Sequence, residues 1–305
     1  MASKTGYVYD PRYQQHDPGT FHPERPERLR AIHQRLLDTG LLQHLILLPP
    51  EPAPLNWITT LHDPEYVKRF EAACAKGFAI FQSADNGICA ASYEIARLAV
   101  GGVLKACDAV LAGEVDNAFC AIRPPGHHAE RARAMGFCFF NNIALGARYL
   151  QQHHGLGRIA IVDWDVHHGN GTQHLFEEDP TVLYISTHED PDFCYPGTGR
   201  RHERGRGAGT GYTLNFPFPP DSGDVDYLAV MDQEILPALK KFQPDFLLIS
   251  AGFDAHADDP LAHIRLSRNG YRQLGQALVG FAREFCQGRV ITVLEGGYNL
   301  EVLAD

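Results

Sequence analysis

Residues 161–172 read IVDWDVHHGNGT. The segment starts as an apolar strand and ends as a polar loop that contains glycine. Because alternate residues of an extended chain point the same way, Asp165 and His167 would lie side by side, and a carboxylate next to an imidazole suits zinc. An isolated Asp-x-His is more often a turn-capping aspartate with a surface histidine. Two aspartates and two histidines within six residues favour a metal ion instead.

Similar apolar runs precede and follow this strand and alternate with helical patterns. Strands are predicted at residues 117–122, 158–162, 181–186, 245–250 and 289–294. Helices are predicted at residues 142–152 and on the stripes Leu29-Ile32-Leu36 (ending at Gly40), Leu228-Met231-Ile235-Leu239 and Leu274-Leu278-Phe281-Phe285. Continuous apolar strands separated by helices indicate parallel strands buried on both faces. We therefore predict one α/β domain over residues 1–305, with helices on both faces of a mostly parallel sheet.

Composition excludes several classes of protein. The 305 residues carry a net charge of −10, which disfavours nucleic acid and weakly favours a cationic partner. No apolar run approaches a membrane span, and the N-terminus has no apolar signal segment. The seven cysteines are odd in number and widely spaced, without a Cys-x-x-Cys pair, which indicates a reducing compartment. We predict a cytoplasmic protein with no nucleic-acid or membrane partner.

Three further polar clusters follow predicted strands, where open α/β sheets place their ligand sites. In the run ISAGFDAHADDP, Asp254 would join Asp165 and His167 as a third ligand. Three protein ligands leave a fourth position for water, as in catalytic zinc sites. The alternative is that Asp254 caps a turn. We interpret Asp258 and Asp259 as solvated loop acids.

The other two clusters read RPPGHHAE at residues 123–130 and LEGGYN at residues 294–299. Histidine suits proton transfer near neutral pH, so His127 and His128 are candidate acid–base groups. Tyr298, after two glycines, would donate a hydrogen bond to a developing oxyanion. Alone, either cluster is more often a surface histidine pair or a packed turn tyrosine. Because both clusters follow the ends of predicted strands, we favour a functional role for His127, His128 and Tyr298 over these structural alternatives.

Together these segments resemble the arginase/deacetylase superfamily, specifically class II histone deacetylases and bacterial histone deacetylase-like amidohydrolases. The matching phrases, in family order, are HPERPERL (22–29), RPPGHHAE (123–130), GFCFFNN (136–142), DWDVHHGNGTQ (163–173), YPGTG (195–199), SAGFDAHADDPL (250–261) and LEGGYNL (294–300). The resemblance implies the arginase/deacetylase fold and a zinc-dependent hydrolase that removes acetyl or other acyl groups from lysine side chains of peptides or proteins.

The resemblance also implies two metal sites. Asp165, His167 and Asp254 match the ligands of the catalytic zinc ion. A structural potassium ion is held in the family by backbone carbonyls that match Asp163, Asp165 and His167, together with Ser186.

For catalysis, the resemblance makes His127 and His128 a tandem pair, oriented by Asp163 and Asn170 respectively, and makes Tyr298 the transition-state tyrosine. Asn170 stands where class I members have aspartate. A neutral partner should lower the basicity of His128 relative to an aspartate. Which histidine is the general base stays open.

For the substrate, Phe137 and Tyr195 match the aromatic walls of an acyl-lysine tunnel, next to Gly136. Asp85 matches a rim residue that grips the substrate backbone. Leu261 stands where one polyamine-cleaving branch has glutamate, which favours acyl-lysine over acetylated polyamines.

Several alternatives stay open. They are an acetylpolyamine amidohydrolase, a non-catalytic acyl-lysine reader that kept the pocket, and a binuclear manganese hydrolase, for which the additional acids are not found. Relatives usually continue into a further helix after the tyrosine loop, so we expect that helix to be missing after Asp305. Bacterial members of the family are often dimers or tetramers, so the resemblance also makes a homo-oligomer an open possibility for this chain.

Overall fold

A computed structural model describes residues 3–305, and all its strands belong to a single sheet. The strands are β1 (Thr5–Val8), β2 (Leu45–Leu47), β3 (Asn117–Cys120), β4 (Ile159–Asp163), β5 (Val182–Glu189), β6 (Thr213–Phe218), β7 (Phe246–Ala251) and β8 (Val290–Leu294). Their order is β2-β1-β3-β8-β7-β4-β5-β6, and each neighbouring pair is parallel. The predicted mostly parallel sheet is confirmed.

α-Helices connect most successive strands, and a last helix follows β8. They are α1 (Glu27–Asp38), α2 (Leu55–Ile58), α3 (Pro64–Ala75), α4 (Ser92–Leu111), α5 (Asn142–Gln152), α6 (Asn170–Phe176), α7 (Asp224–Val230), α8 (Leu236–Phe242), α9 (Arg268–Phe285) and α10 (Leu300–Ala304). Gly40 follows α1 with φ 72°, a left-handed conformation that glycine adopts at little cost. None of the helices within residues 3–305 is long and apolar enough to cross a lipid bilayer.

The sheet separates two hydrophobic cores, because successive side chains of a strand point to opposite faces. Ile161 and Leu248 enter the core that α1, α4 and α5 cover. Val162 and Ile249, one residue further along each strand, enter the core that α7, α8 and α9 cover. Central strands buried on both faces explain the continuous apolar runs in the sequence.

One predicted helix differs from the structure. The stripe from Leu228 to Leu239 is not one α-helix, since a π-helical turn at Met231–Ile235 separates α7 from α8. Met231, Ile235 and Leu239 nevertheless all point into the core. The sequence pattern predicted the buried face correctly but not the local widening of the helix.

The functional motifs meet because of the strand order. The loops after β3, β8, β7 and β4 are neighbours, since these strands lie side by side in the sheet. Parallel strands end at the same edge, which is where α/β sheets bind ligands. The topology therefore collects four motifs that lie far apart in the sequence.

Candidate active site

The predicted zinc ligands lie together at this edge. Asp165 and His167 follow β4, Asp254 follows β7, and one ligand atom from each lies within 4.8 Å of the others. His167 Nδ1 is 3.1 Å from Asp165 Oδ1 and 3.2 Å from Asp254 Oδ2. Both carboxylates are buried.

Backbone amides hold the two carboxylates in place. Val166 donates its N–H to Asp254 Oδ1 at 2.9 Å, and Gly296 donates its N–H to Asp165 Oδ2 at 2.7 Å. A Cβ at Gly296 would lie 2.0 Å from Asp254 Oδ2 and 2.6 Å from Asp165 Oδ2. Glycine is required here because only a residue without a side chain lets the loop after β8 approach both acids.

The group fits a divalent cation. Asp254 Oδ2 is buried and, apart from the 3.2 Å approach of His167 Nδ1, has no hydrogen-bond partner in the described part of the chain, which is costly for a polar atom. Burial and the neighbouring Asp165 carboxylate raise the pKa of Asp254 above its ordinary value. Two carboxylates and one imidazole with a further position open are the donor set of catalytic zinc sites.

The tandem histidines have different partners. His127 Nδ1 lies 3.1 Å from Asp163 Oδ2, which also accepts a hydrogen bond from the Tyr184 hydroxyl at 3.0 Å. His128 Nδ1 lies 2.8 Å from Asn170 Oδ1. The two imidazole rings are 4.0 Å apart.

These partners separate the basicities of the two rings. Burial lowers the pKa of His127, but the Asp165 and Asp163 carboxylates outweigh it and raise that pKa to about 10. Burial, and then the charge of His127, lower the pKa of His128 well below its ordinary value. Neighbouring groups whose pKa values are pushed apart are suited to different roles in one reaction.

Glu295 supports the histidine loop, a role that the sequence interpretation missed. Its buried Oε2 accepts hydrogen bonds from the backbone N–H of Gly126 at 2.7 Å and of His127 at 3.2 Å, and its Oε1 accepts one from Ser250 at 2.8 Å. Burial raises the pKa of Glu295 to about 7. The sequence signal for this role was the position of Glu295, an acidic residue directly after a predicted apolar strand, in the LEGGY motif.

Arg28, in the HPERPERL motif, was also missed. Its buried side chain donates to the carbonyl of Gly297 at 2.6 Å and to the carbonyl of Glu295 at 2.5 Å. Its guanidinium group also lies 5.1 Å from the centre of the Tyr298 ring. The first motif therefore positions the last one.

A cavity of about 630 Å³ reaches the ligand group at His167. Its lining includes the predicted substrate residues Phe137, Tyr195, Leu261, Gly136 and Asp85, together with His128, His167 and Tyr298. The Tyr195 ring meets the His128 ring edge-on at 5.1 Å, and the Phe137 ring meets the Tyr298 ring edge-on at 5.9 Å. The aromatic residues thus surround the approach to the histidines.

Two rim residues make contacts within the protein. Asp85 Oδ2 accepts a hydrogen bond from the Gly136 N–H at 2.9 Å. A Cβ at Gly136 would lie 2.3 Å from His128 Cδ2, so the glycine lets the backbone pack against that ring. Whether Asp85 also grips a substrate backbone stays a prediction.

The interpretation of Asp259 as a solvated acid is wrong. Asp259 is only 7% exposed, because its Oδ2 accepts hydrogen bonds from the backbone N–H of Tyr298 at 2.7 Å and of Asn299 at 3.2 Å. Its Oδ1 accepts one from the Leu261 N–H at 3.1 Å. Asp258 is exposed, as predicted.

The potassium site stays a prediction. Ser186 is buried in β5 directly opposite Asp163 of β4. Its hydroxyl lies 2.8 Å from His188 Nδ1.

Comparisons with known proteins identify the family of the chain. A family model described as "Histone deacetylase domain" matches residues 22–305. A "Probable deacetylase" of Archaeoglobus fulgidus is 43% identical over 97% of this chain and 82% of its own length. A "Histone deacetylase-like amidohydrolase" of Pseudomonas aeruginosa is 42% identical over 91% of this chain and 73% of its own length.

A solved structure gives the same result for the fold. The crystal structure of the HDA15 HD domain superposes with a TM-score of 0.93 at 37% identity, over 99% of this chain and 85% of that one. The class defined by this fold and these relatives is that of hydrolases acting on linear amides. The chain belongs to the histone deacetylase family.

Proposed function

We propose that this protein is a zinc-dependent amidohydrolase that removes acetyl or other acyl groups from lysine side chains of peptides or proteins. One observation carries the proposal. His167, whose ring lies within the Asp165, His167 and Asp254 ligand group, lines a cavity that His128 and Tyr298 also line. A proposed zinc ligand (His167), the candidate base (His128) and the candidate oxyanion donor (Tyr298) therefore line the same cavity.

Asp165, His167 and Asp254 would hold the zinc ion. When bound, zinc would polarise the acyl carbonyl and lower the pKa of the water bound to it to about 7.

His128 is the proposed general base. Because its Nδ1 faces the Asn170 carbonyl oxygen, Nδ1 carries the hydrogen and Nε2 keeps a lone pair. His128 takes a proton from the attacking water as the water oxygen bonds to the acyl carbon. It returns the proton to the nitrogen as the carbon–nitrogen bond breaks, so a carboxylate and an amine leave. His127, beside the Asp163 carboxylate, supplies positive charge nearby.

Tyr298 is the proposed oxyanion donor. Burial and the nearby Asp254 carboxylate raise the pKa of Tyr298 well above its ordinary value, so the phenol keeps its proton at neutral pH. A protonated hydroxyl at the cavity wall can donate a hydrogen bond to the oxygen that becomes negative in the transition state.

The cavity walls favour a slender aliphatic substrate. Phe137 and Tyr195 present rings to the space above His128, and such walls suit a methylene stem. Leu261 is 39% exposed at the same cavity and offers no charge for a second amine. These features support acyl-lysine as the substrate class.

An acetylated polyamine is the second candidate. Asp85 lines the cavity and would attract an ammonium group. A relative from Homo sapiens that is named "Polyamine deacetylase HDAC10" is 41% identical over 92% of this chain and 43% of its own length. Arg133 lines the same cavity and would repel a second positive charge, so acyl-lysine remains first.

The test compares kcat/KM for an acetyl-lysine peptide and for acetylspermidine, each with and without a zinc chelator. We expect chelator-sensitive hydrolysis with preference for the peptide. Preference for acetylspermidine would reverse the substrate assignment, and peptide binding without turnover would support a reader. Leu261→Glu provides the matched variant, because an added carboxylate at the cavity should raise relative activity on acetylspermidine.

We also propose a cytoplasmic location and homo-oligomeric assembly. The location is supported by seven cysteines that are all free in the structure, as a reducing compartment requires. Assembly rests on the family resemblance, and gel filtration with light scattering would test it.

A further inference from the structure

A second group of potential metal ligands lies away from the catalytic cavity. Asp108 lies on α4, His153 and His154 directly follow α5, and one ligand atom from each lies within 4.8 Å of the others. Helix α5 starts beside the histidine loop, where Asn142 donates to the Pro124 carbonyl, and its 11 residues span about 16 Å. The second group is therefore at the opposite end of this helix from the catalytic site.

Surrounding side chains hold the group in position. His154 Nε2 lies 2.9 Å from Asp108 Oδ1, and the Tyr149 hydroxyl donates to the same oxygen at 2.9 Å. The His153 ring stacks on Tyr149 at 4.7 Å and meets the edge of Trp57 at 5.9 Å. Partners that orient ligands in this way raise the metal affinity of a site.

An ion pair between Asp108 and His154 explains only part of this arrangement. It would tie the end of α5 to α4, but it gives no role to His153. That residue is exposed, yet two aromatic rings fix its orientation with its ring centre 4.7 Å from that of His154. Two adjacent imidazoles held beside one carboxylate match the donor types of a transition-metal site.

We propose that Asp108, His153 and His154 bind one first-row divalent transition-metal ion, such as Zn²⁺, Cu²⁺ or Ni²⁺. Imidazole nitrogen favours these ions, whereas Mg²⁺ and Ca²⁺ prefer oxygen ligands throughout. Asp108 and His153 lie at the surface, so water completes the coordination. The bound ion joins α4 to α5 and stabilises the folded chain, because an ion that binds only the folded state raises its stability.

The first experiment counts bound ions. The full chain is stripped of metal, dialysed against buffered Zn²⁺ and analysed by elemental mass spectrometry. We expect two ions per chain in the wild type and one in His153→Gln and in His154→Gln. The matched control is His202→Gln, an exposed histidine outside both ligand groups, which should keep two.

The proposal is overturned if both histidine variants bind as many ions as the wild type. Asp165→Asn separates this site from the proposed catalytic one, because it removes the other ion and leaves the Asp108 site intact. In that variant, Cu²⁺ electron paramagnetic resonance should show coupling to two imidazole nitrogens. A spectrum without nitrogen coupling would also reject the assignment.

Discussion

Asn170 Nδ2 donates a hydrogen bond to Glu130 Oε1 at 2.6 Å, and this contact determines which end of the amide faces His128. A carboxylate only accepts hydrogen bonds, so the amide nitrogen has to face Glu130. The amide oxygen then faces His128 Nδ1 at 2.8 Å. Glu130 also contacts His174 Nδ1 at 2.7 Å. Glu130 thus sets the tautomer of the proposed general base through Asn170.

Replacing Glu130 should therefore impair catalysis more than binding. In Glu130→Ala the amide nitrogen of Asn170 loses its shortest hydrogen bond and keeps only the longer contacts to the His128 carbonyl and Met135. We expect kcat to fall about 10- to 100-fold, as for other outer partners of catalytic groups, with a smaller change in KM. Glu130→Gln should recover part of the loss, because its carbonyl oxygen can accept the same hydrogen bond. Steady-state kinetics provide the measurement. Exposed Glu178→Ala is the control, and an unchanged kcat in Glu130→Ala would refute the role.

Tyr298→Phe should keep zinc but lose most activity. Removing one oxyanion donor typically lowers kcat by about 10²- to 10³-fold, and the hydroxyl is not part of the ligand group. Zinc content and kcat, measured on the same preparation, separate the two effects. Near-normal turnover would reject the proposed role of the phenol.

Gly296→Ala should disrupt the metal centre. The new Cβ would lie 2.0 Å from Asp254 Oδ2, so the loop or the carboxylate has to move. We expect lower zinc affinity, measured by competition with a chromophoric chelator. The control is Gly275→Ala in α9, where a Cβ would meet nothing within 4 Å and alanine favours the helix. Equal zinc affinity in both variants would contradict the steric argument.

Arg28→Ala should lower both stability and activity. The carbonyls of Gly297 and Glu295 would lose their donors, at a cost of about 1–3 kcal/mol for each buried group left unsatisfied. Urea unfolding measures the first effect, and kcat measures the displacement of the Tyr298 loop. Arg30→Ala on the same helix is the control, because Arg30 forms only an exposed ion pair with Glu27. Arg28→Lys should not restore activity, since lysine lacks the forked donors.

His62 should make folding sensitive to acid. Its buried Nε2 accepts a hydrogen bond from the Asn141 N–H at 2.9 Å, and burial lowers its pKa from 6.5 to about 4. Between these two pKa values only the unfolded chain binds the proton. The contribution of neutral His62 to the free energy of unfolding is therefore fully present above pH 6.5 and decreases as the pH falls towards 4. We expect His62→Gln to be less stable than the wild type at pH 7.5, by a margin that narrows at pH 5. Urea unfolding at both pH values tests this, and a constant or widening margin would be evidence against it.

The sequence predicted the helices and strands that have a clear local pattern of apolar and polar residues. Helix α5 was predicted with its observed bounds, Asn142–Gln152, because it is amphipathic, and β4 was displaced by only one residue. Helix α4 was missed because it is buried on nearly every side and has no single apolar stripe.

Long-range contacts explain the errors within the site. Asp258 and Asp259 look alike in the sequence, and only the Tyr298 N–H, 39 residues further along, decides that Asp259 is buried. The partners of Arg28 lie 269 and 267 residues away. A local pattern carries no information about contacts at such separations.

The position of β8 in the sheet has a consequence for biosynthesis. β8 is the last strand in chain order but lies between β3 and β7, and it alone joins the β2-β1-β3 segment to the β7-β4-β5-β6 segment. A ribosome therefore has to deliver residue 294 before the two segments can be joined into one sheet. The same strand brings in the LEGGY loop, so a nascent fragment without it cannot assemble the proposed catalytic centre. Synthesis of β8 and onset of hydrolysis are thereby linked by the connectivity of the sheet.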